Sequence, residues 1–237
     1  MSGALRVALA DRAAACYRPC GQWAWRFARG KLRGDPMYAA LLDPVLLPDR
    51  ARVLDLGCGK ALVAAWLAAA ANLFRQGDWP PALPPPPSPV GYHGIERSAA
   101  DVAVASRALA GLSWLRIAGG DLRHVQLPPA DVVLLLDVLH YLEPEAQYAL
   151  LARVRDQISG GGRLLLRVGD AGASAGYRIS AAVDRLVCLA RGQPPRLHGR
   201  SLDGWRELLD DLALDVHSLP MSDGTPFANT LLLARPR

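Results

Sequence analysis

The stretch VLDLGCGKA occupies residues 53–61 and joins three short patterns. Residues 53–56 are a short apolar strand, Gly57-Cys58-Gly59 is a tight turn, and the uncharged residues 61–74 continue as a buried helix. A strand, a glycine turn and a helix in succession indicate the first unit of an open α/β sheet. Ligands of such sheets bind beyond the carboxyl ends of the strands, so the turn is a candidate binding site.

Apolar runs alternate with helical patterns along most of the remaining chain. Strands are predicted at residues 91–95, 114–117, 131–136 and 163–168, and a terminal hairpin at 214–219 and 229–234. Helices are predicted after the capping residue Ser98, from Pro144 to the glycines 160–162 with Tyr148 in its core face, over about 175–191, and over 202–212. The pattern predicts a seven-stranded, mostly parallel α/β sheet with a C-terminal antiparallel hairpin.

Two segments flank or interrupt this pattern. Residues 1–48 carry two helical stretches without strand alternation and are interpreted as an N-terminal helical cap on a domain of residues 49–237. Residues 76–90 include seven prolines and are predicted to form an extended surface loop. A stiff connector is favoured there over a proline-rich ligand for a partner domain.

Composition describes a globular protein with a modest positive charge. The 237 residues are 51% hydrophobic and 21% charged, with a net charge of +5. The basic residues Arg26, Arg29, Lys31 and Arg33 lie between aromatic residues, a pattern that can bind RNA. Nucleic acid is nevertheless disfavoured, because no continuous basic stripe follows.

Cysteine usage and hydropathy bound the remaining classes. Four cysteines give one CxxxC pair without zinc-site spacing, so reduced thiols and no metal are expected. The longest uncharged apolar stretch has 14 residues, too few to span a membrane, and the N-terminal residues resemble no export signal. A cytoplasmic location is therefore expected. No pattern in the sequence indicates an oligomeric state.

The glycine turn argues against a dinucleotide. The third glycine of a GxGxxG fingerprint falls on Leu62, and Asp55 places negative charge where a pyrophosphate would lie. A cofactor with a cationic amino group and a sulfonium, and no phosphate, suits that acid better. Glu96, at the end of the second predicted strand, can accept both hydrogen bonds of a ribose diol.

Four motifs in the expected order carry a family resemblance over about half of the chain. VLDLGCGKA (53–61), GIERS (94–98), GDLRHVQLPPADVVLLLDVLHYL (120–142) and GGRLLLRV (161–168) resemble the motifs of class I S-adenosylmethionine-dependent methyltransferases. The resemblance implies a Rossmann-like class I methyltransferase fold, S-adenosyl-L-methionine as cofactor, and methyl transfer as the activity. One departure is Ala61, where the family often has a further glycine.

The resemblance also implies roles for individual residues. Gly57, Cys58 and Gly59 form the cofactor-binding turn, in which the glycines let the backbone approach the cofactor, with Asp55 near the methionine end. By its own chemistry, Cys58 is a small packing residue at the turn and not a nucleophile. Glu96 holds the ribose hydroxyls.

The later motifs extend this implied site. Asp121 meets the adenine amino group, Leu122 contacts the adenine ring, and Asp137 lies beside the methionine moiety. His140 and Tyr141 lie nearer the acceptor, where His140 is the candidate base. For Asp121 and Asp137, helix capping stays open as an alternative, and His140 can equally donate a hydrogen bond or pack at a helix start.

The acceptor is the least determined feature. The segment from Tyr17 to Pro36 and the tail from Met221 are similar to small bacterial methyltransferases of aryl polyene or related polyketide-type pathways. That resemblance implies a small-molecule or carrier-bound aromatic acceptor, methylated on oxygen or carbon. Further expectations concern the mouth of the site. We expect a carboxylate to be held there by Arg26, Arg29 or Lys31, and residues 167–180 to form either a mobile acceptor loop or a simple connector. Further candidates beside His140 are Tyr17, Tyr141, Asp170 and Tyr177.

Two other function classes remain open. One is an RNA methyltransferase or RNA-binding module that uses the basic N-terminal segment. The other is a non-catalytic, methyltransferase-like partner protein, against which the joint presence of the glycine turn, Glu96 and Asp121 argues.

Overall fold

A computed structural model of the chain describes residues 1–172, 182, 197–225 and 228–237. The chain consists of two compact units, Met1–His124 and Val125–Arg237. Among the described residues, no helix combines the length and hydropathy that crossing a bilayer requires.

The first unit begins with three α-helices, where the sequence predicted two. They are α1 (Gly3–Ala15), α2 (Gln22–Gly34) and the short α3 (Pro36–Ala40), with a 3-10 turn at Arg18–Cys20. The third helix starts because the Asp35 carboxylate accepts the backbone N–H of Met37 and a proline occupies the first helical position. The division at residue 48 into a cap and a sheet domain stays a prediction.

Three parallel strands follow in the first unit, with two helices between them. The elements are β1 (Arg52–Leu56), α4 (Leu62–Arg75), β2 (Gly91–Glu96), α5 (Ala99–Ala108) and β3 (Leu115–Gly119). β2 lies between β1 and β3, with Leu56 opposite Ile95 and Glu96 opposite Gly119. Nine residues of α4 are buried, which confirms the buried helix that the sequence predicted.

The second unit contains four strands in the order β4-β5-β7-β6. Its elements are β4 (Ala130–Leu136), a 3-10 turn (Leu139–Tyr141), α6 (Pro144–Gln157), β5 (Ile158–Gly169), α7 (Leu202–Asp211), β6 (Leu214–Pro220) and β7 (Asn229–Pro236). β4 and β5 are parallel, whereas β7 is antiparallel to both β5 and β6. The described chain thus contains seven strands with a C-terminal antiparallel hairpin, as the sequence predicted.

The glycine run at 160–162 was predicted to end a helix, but it does not. α6 ends at Gln157 because Ile158 adopts extended backbone angles and pairs with Ala130. The glycines belong to β5, where Gly161 has φ +76° beside a register shift, and a positive φ favours glycine. Tyr148, predicted in the core, is exposed. The helix predicted over about 175–191 falls on residues that, except for residue 182, lie outside the described ones.

The proline-rich stretch 76–90 forms a loop without helix or strand, as predicted, and it is attached to its unit. Trp79 is buried, and its indole N–H donates to the carbonyl of Pro84 at 2.9 Å. Arg12 of α1 contacts the side chains of Gln76 and Asp78. The loop is therefore packed on its unit and is not a loose tether.

Shortening Trp79 should loosen this loop in two steps. We expect Trp79→Phe to lower the free energy of unfolding by about 1–2 kcal/mol, because the indole hydrogen bond and part of the ring packing are lost. Trp79→Ala should cost about 3–5 kcal/mol, because a cavity is added. Urea denaturation measures both values, and an alanine variant as stable as the parent would contradict the packing.

Candidate functional site

The glycine turn after β1 is held by the end of β2. The N–H groups of Gly57 and Cys58 both donate to the carbonyl of Ile95, at 2.8 and 3.1 Å. Positive φ angles occur at Gly57 (80°), Gly59 (53°) and Ala61 (56°). Ala61 adopts the left-handed conformation in which its methyl group costs about 1–2 kcal/mol, so the turn exists without the family's further glycine.

Close approach of β2 to this turn requires Gly94. A Cβ atom there would lie 2.8 Å from both the Cys58 Sγ atom and the Ile117 side chain. The Cys58 thiol is mostly buried, and burial raises its pKa above the ordinary value. A protonated thiol in contact with a strand agrees with the packing role expected for Cys58.

The Glu96 carboxylate bridges the turn and the next helix. Its Oε2 atom accepts the N–H of Gly59 at 3.0 Å, and its Oε1 atom accepts the N–H of Ser98 at 2.8 Å. Ser98 in turn caps α5 by accepting the N–H of Asp101. A carboxylate offers about four acceptor positions, so two remain for a further donor such as a diol.

Asp55, at the same end of β1, is a buried carboxyl group. The phenol of Tyr92 on β2 donates to it. Burial raises the pKa of Asp55 to about 7, and the neighbouring charge of Glu96 acts in the same direction. Such a group gains its negative charge near neutral pH, and an adjacent cation would favour that charge.

Lys60, which the sequence analysis missed, connects the turn to the N-terminal helices. Its ammonium forms a buried ion pair with Asp101 and lies 5.1 and 4.9 Å from the ring centroids of Trp23 and Phe27. The phenol of Tyr17 donates to its carbonyl at 2.7 Å. The signal was present, since Lys60 is one of two lysines and directly follows the glycines.

Two of the three basic residues expected to hold an acceptor carboxylate, Arg29 and Lys31, have acidic partners within the chain. Arg29 and Arg33 both pair with Asp11, and Lys31 pairs with Asp35 at 2.8 Å. These ion pairs argue against an acceptor carboxylate held by Arg29 and Lys31.

Two further candidates at the mouth of the site, Tyr17 and Asp170, have structural roles instead. Tyr17 is fully buried. Asp170 accepts the N–H groups of Gly172 and Leu202, at 2.9 and 3.0 Å, and so holds the start of α7. Tyr177 lies outside the described residues, as does most of the loop expected over 167–180.

Asp121 lies just beyond β3, followed by the buried Leu122. Its carboxylate accepts the backbone N–H of Arg123 at 3.0 Å and also pairs with the Arg123 guanidinium. Hydrogen bonds from Arg123 lower the pKa of Asp121 to about 2. The Asp121 carboxylate is therefore ionised at ordinary pH values. It holds a turn and does not cap a regular helix.

In the second unit, Asp137 follows β4 with a φ of 59°. Arg167 of β5 makes two contacts with its carboxylate. The Arg167 Nε–H donates to the Oδ1 atom of Asp137 at 2.8 Å, and the Arg167 Nη2 group donates to the Oδ2 atom. Arg167 is only 3% exposed. Asp137 thus forms an ion pair with a buried arginine. The signal missed was the single charge of Arg167 inside the apolar run LLLRV (164–168).

His140 and Tyr141 lie on the 3-10 turn after β4. Their rings are neighbours, with centroids 4.1 Å apart, and the Tyr141 side chain is exposed. The carbonyl of His140 accepts the N–H of His198 at 2.7 Å. Among the described residues no cluster of three or more metal-ligating side chains occurs.

The chain is similar to a protein family and to several known proteins. Residues 54–164 match the family described as a methyltransferase domain. The trans-aconitate 2-methyltransferase of Pseudomonas paraeruginosa is 32% identical over 203 residues, which cover 81% of this chain and 64% of that protein. An O-methyltransferase family protein from Burkholderia thailandensis superposes with a TM-score of 0.63 at 17% identity, over 92% of this chain and 61% of that one.

A further solved structure is an O-methyltransferase from neocarzinostatin biosynthesis, in complex with S-adenosyl-L-homocysteine and 1,4-dihydroxy-2-naphthoic acid. It has a TM-score of 0.59 and 19% identity, over 96% of this chain and 60% of that chain. This chain thus spans less than two thirds of the length of these relatives. The strands, the glycine turn and these matches define the fold of class I S-adenosylmethionine-dependent methyltransferases. Residues 54–164 therefore carry a methyltransferase domain, and the described strands have the fold of that class.

The raised pKa of Asp55 makes stability depend on pH. The folded state keeps this proton to about pH 7 and the unfolded chain releases it near pH 4, so the stability contributed by Asp55 is lost as pH rises between these values. We expect Asp55→Asn to gain stability relative to the parent, by more than about 1 kcal/mol, between pH 5 and pH 8. Urea denaturation at both pH values measures this. The exposed control Asp156→Asn should run parallel to the parent, and parallel behaviour of Asp55→Asn would contradict the assignment.

The Asp137–Arg167 pair should be strongly coupled. We expect Asp137→Asn to cost about 3 kcal/mol of unfolding free energy, because the buried guanidinium loses its counter-charge. Adding Arg167→Met should restore part of that loss in a double-mutant cycle. The exposed pair Asp203–Arg206 is the matched control, with an expected coupling below about 1 kcal/mol. Equal coupling in the two cycles would refute the importance of the buried pair.

Proposed function

We propose that the chain transfers the methyl group of S-adenosyl-L-methionine to an oxygen atom of a small-molecule or carrier-bound acceptor. The observation that carries the proposal is the Glu96 carboxylate, which closes the glycine turn and retains acceptor positions. The methyltransferase domain match supports the same reaction class.

The first unit by itself supplies the groups that the cofactor needs. Glycine conformations at Gly57 and Gly59 leave the backbone open to close approach, and Glu96 can accept ribose hydroxyls. Asp55 offers a negative charge to the cationic methionine end. Asp121, ionised at all ordinary pH values, is proposed to accept the adenine amino group, with Leu122 against the ring.

The cofactor supplies an activated methyl group on a sulfonium, a good leaving group, so the chain has mainly to align the acceptor and exclude water. A hydroxyl acceptor must also lose a proton. We assign that proton to the imidazole of His140, because histidine exchanges protons near neutral pH, and we assign acceptor contact to Tyr141.

A hydroxylated aromatic compound is the proposed acceptor class. Supporting it is the solved relative that holds 1,4-dihydroxy-2-naphthoic acid, together with the sequence resemblance to enzymes of aryl polyene and polyketide-type pathways. A carboxylate is the second candidate, because the curated relative is named for trans-aconitate. The RNA alternative is weakened, because Arg29, Arg33 and Lys31 are engaged in ion pairs with Asp11 and Asp35 within the chain.

Cofactor binding can be tested apart from the acceptor. We expect S-adenosyl-L-homocysteine to bind the parent in calorimetric titration, and Glu96→Ala to weaken binding at least tenfold through the loss of charged hydrogen bonds. Glu96→Gln, which retains one carbonyl oxygen, should fall between them. Glu207→Ala, at an exposed position of α7, is the control and should bind as the parent does. Preferential binding of NADH, or an unaffected Glu96→Ala variant, would overturn the cofactor assignment.

Transfer of a labelled methyl group identifies the acceptor class. The probes are 1,4-dihydroxy-2-naphthoic acid, trans-aconitate and total RNA, each with labelled S-adenosyl-L-methionine. We expect label in the naphthoic acid that survives alkaline hydrolysis, since an aryl ether is stable to base and a methyl ester is not. Base-labile label would favour the carboxylate acceptor, and label in RNA alone would refute a small-molecule acceptor.

A further inference from the structure

Gln147 of α6 is a fully buried amide that uses both ends of its side chain. Its Nε2 atom shares its two N–H groups among the carbonyls of Leu139, Leu142 and His198, at 3.1, 3.0 and 2.8 Å. Its Oε1 atom accepts the Nε–H of Arg200 at 2.7 Å. An amide at zero exposure has no water to replace lost partners, so these contacts must form together.

Two of the carbonyls that Gln147 binds lie at the ends of the turn that contains His140 and Tyr141, the residues proposed to face the acceptor. Leu139 begins the 3-10 turn that contains His140 and Tyr141, and Leu142 directly follows it. The turn's own hydrogen bonds, from Tyr141 to Val138 and from Leu142 to Leu139, set its local shape but do not attach it to the rest of its unit. The amide of Gln147 therefore supplies the orientation from outside.

The third carbonyl belongs to a second segment, residues 197–200, which is held against the same turn. The N–H of His198 donates to the carbonyl of His140 at 2.7 Å. The Arg200 guanidinium lies 5.6 Å from the Trp205 ring centroid, and its backbone carbonyl accepts the N–H of Ala171. The turn is thus clamped between α6 and a segment that is itself anchored to α7.

We infer that Gln147 is a positioning residue for His140 and Tyr141, and that it acts through the backbone of their turn. This inference rests on the proposed function, because it gives these two side chains a role toward the acceptor. Alignment of an acceptor with the methyl group is sensitive to shifts of about 1 Å. Loss of the two N–H donors that hold the three carbonyls is enough to release such a shift.

Two variants separate the halves of the amide. Gln147→Glu keeps an acceptor for Arg200 but cannot donate to the three carbonyls, and Gln147→Met keeps the length and loses both functions. Gln157→Met is the matched control, because it makes the same change at the last residue of the same helix. Circular dichroism and urea denaturation establish that each variant is folded.

The readouts keep the failure of this inference apart from failure of the proposed function. We expect both Gln147 variants to move or broaden the His140 imidazole signal in ¹H–¹³C NMR spectra, while the His217 signal and the affinity for S-adenosyl-L-homocysteine stay at parental values. With 1,4-dihydroxy-2-naphthoic acid, kcat should fall roughly tenfold or more, with KM for S-adenosyl-L-methionine within twofold. The Gln157→Met control should match the parent throughout.

Three results would contradict the inference. Folded Gln147 variants with a parental His140 signal would show that the turn does not depend on the amide. A shifted His140 signal with a parental kcat would assign Gln147 a purely structural role. Weakened cofactor affinity together with lower kcat would indicate a general loosening. If the parent itself transfers no methyl group to the probe, the proposed acceptor fails, and the NMR comparison alone still decides whether Gln147 positions the turn.

Discussion

The hydrogen bonds from the backbone of Gly59 and Ser98 to the Glu96 carboxylate are the interaction on which the first unit depends. They join the turn after β1 to the start of α5, at the edge where parallel strands present their carboxyl ends. The Gly94 position lets the two strands approach closely enough for this contact. One carboxylate therefore shapes the turn and remains able to bind a diol.

Within each unit, a buried charge is paired with a charge of opposite sign. Lys60 pairs with Asp101 in the first unit, and Arg167 holds Asp137 in the second. Asp55 differs, because its hydrogen-bonding partner is the neutral phenol of Tyr92 and its pKa is raised to about 7. It is the acid whose charge a cationic ligand would stabilise most, which agrees with a sulfonium cofactor and disagrees with a pyrophosphate.

Hydrophobic periodicity and turn residues were enough to predict much of the fold, because a strand, a glycine turn and a hairpin are local patterns. The glycines at 160–162 were misread, since glycine both ends helices and permits bulged strands, and only pairing with Ala130 distinguishes the two. Acids at strand ends were found in the same way as the strands. Their partners were not, because Tyr92 lies 37 residues from Asp55 and Arg167 lies 30 residues from Asp137, and no local pattern links such positions.

The central claim is that Glu96 performs both of its tasks at once, holding the turn and receiving the cofactor's ribose. A crystal structure of the chain with S-adenosyl-L-homocysteine tests this most directly. The account predicts that both ribose hydroxyls donate to Glu96 while the N–H groups of Gly59 and Ser98 remain bonded to it. A ribose bound elsewhere, or a Glu96 side chain that leaves Gly59 to reach the ligand, would contradict it.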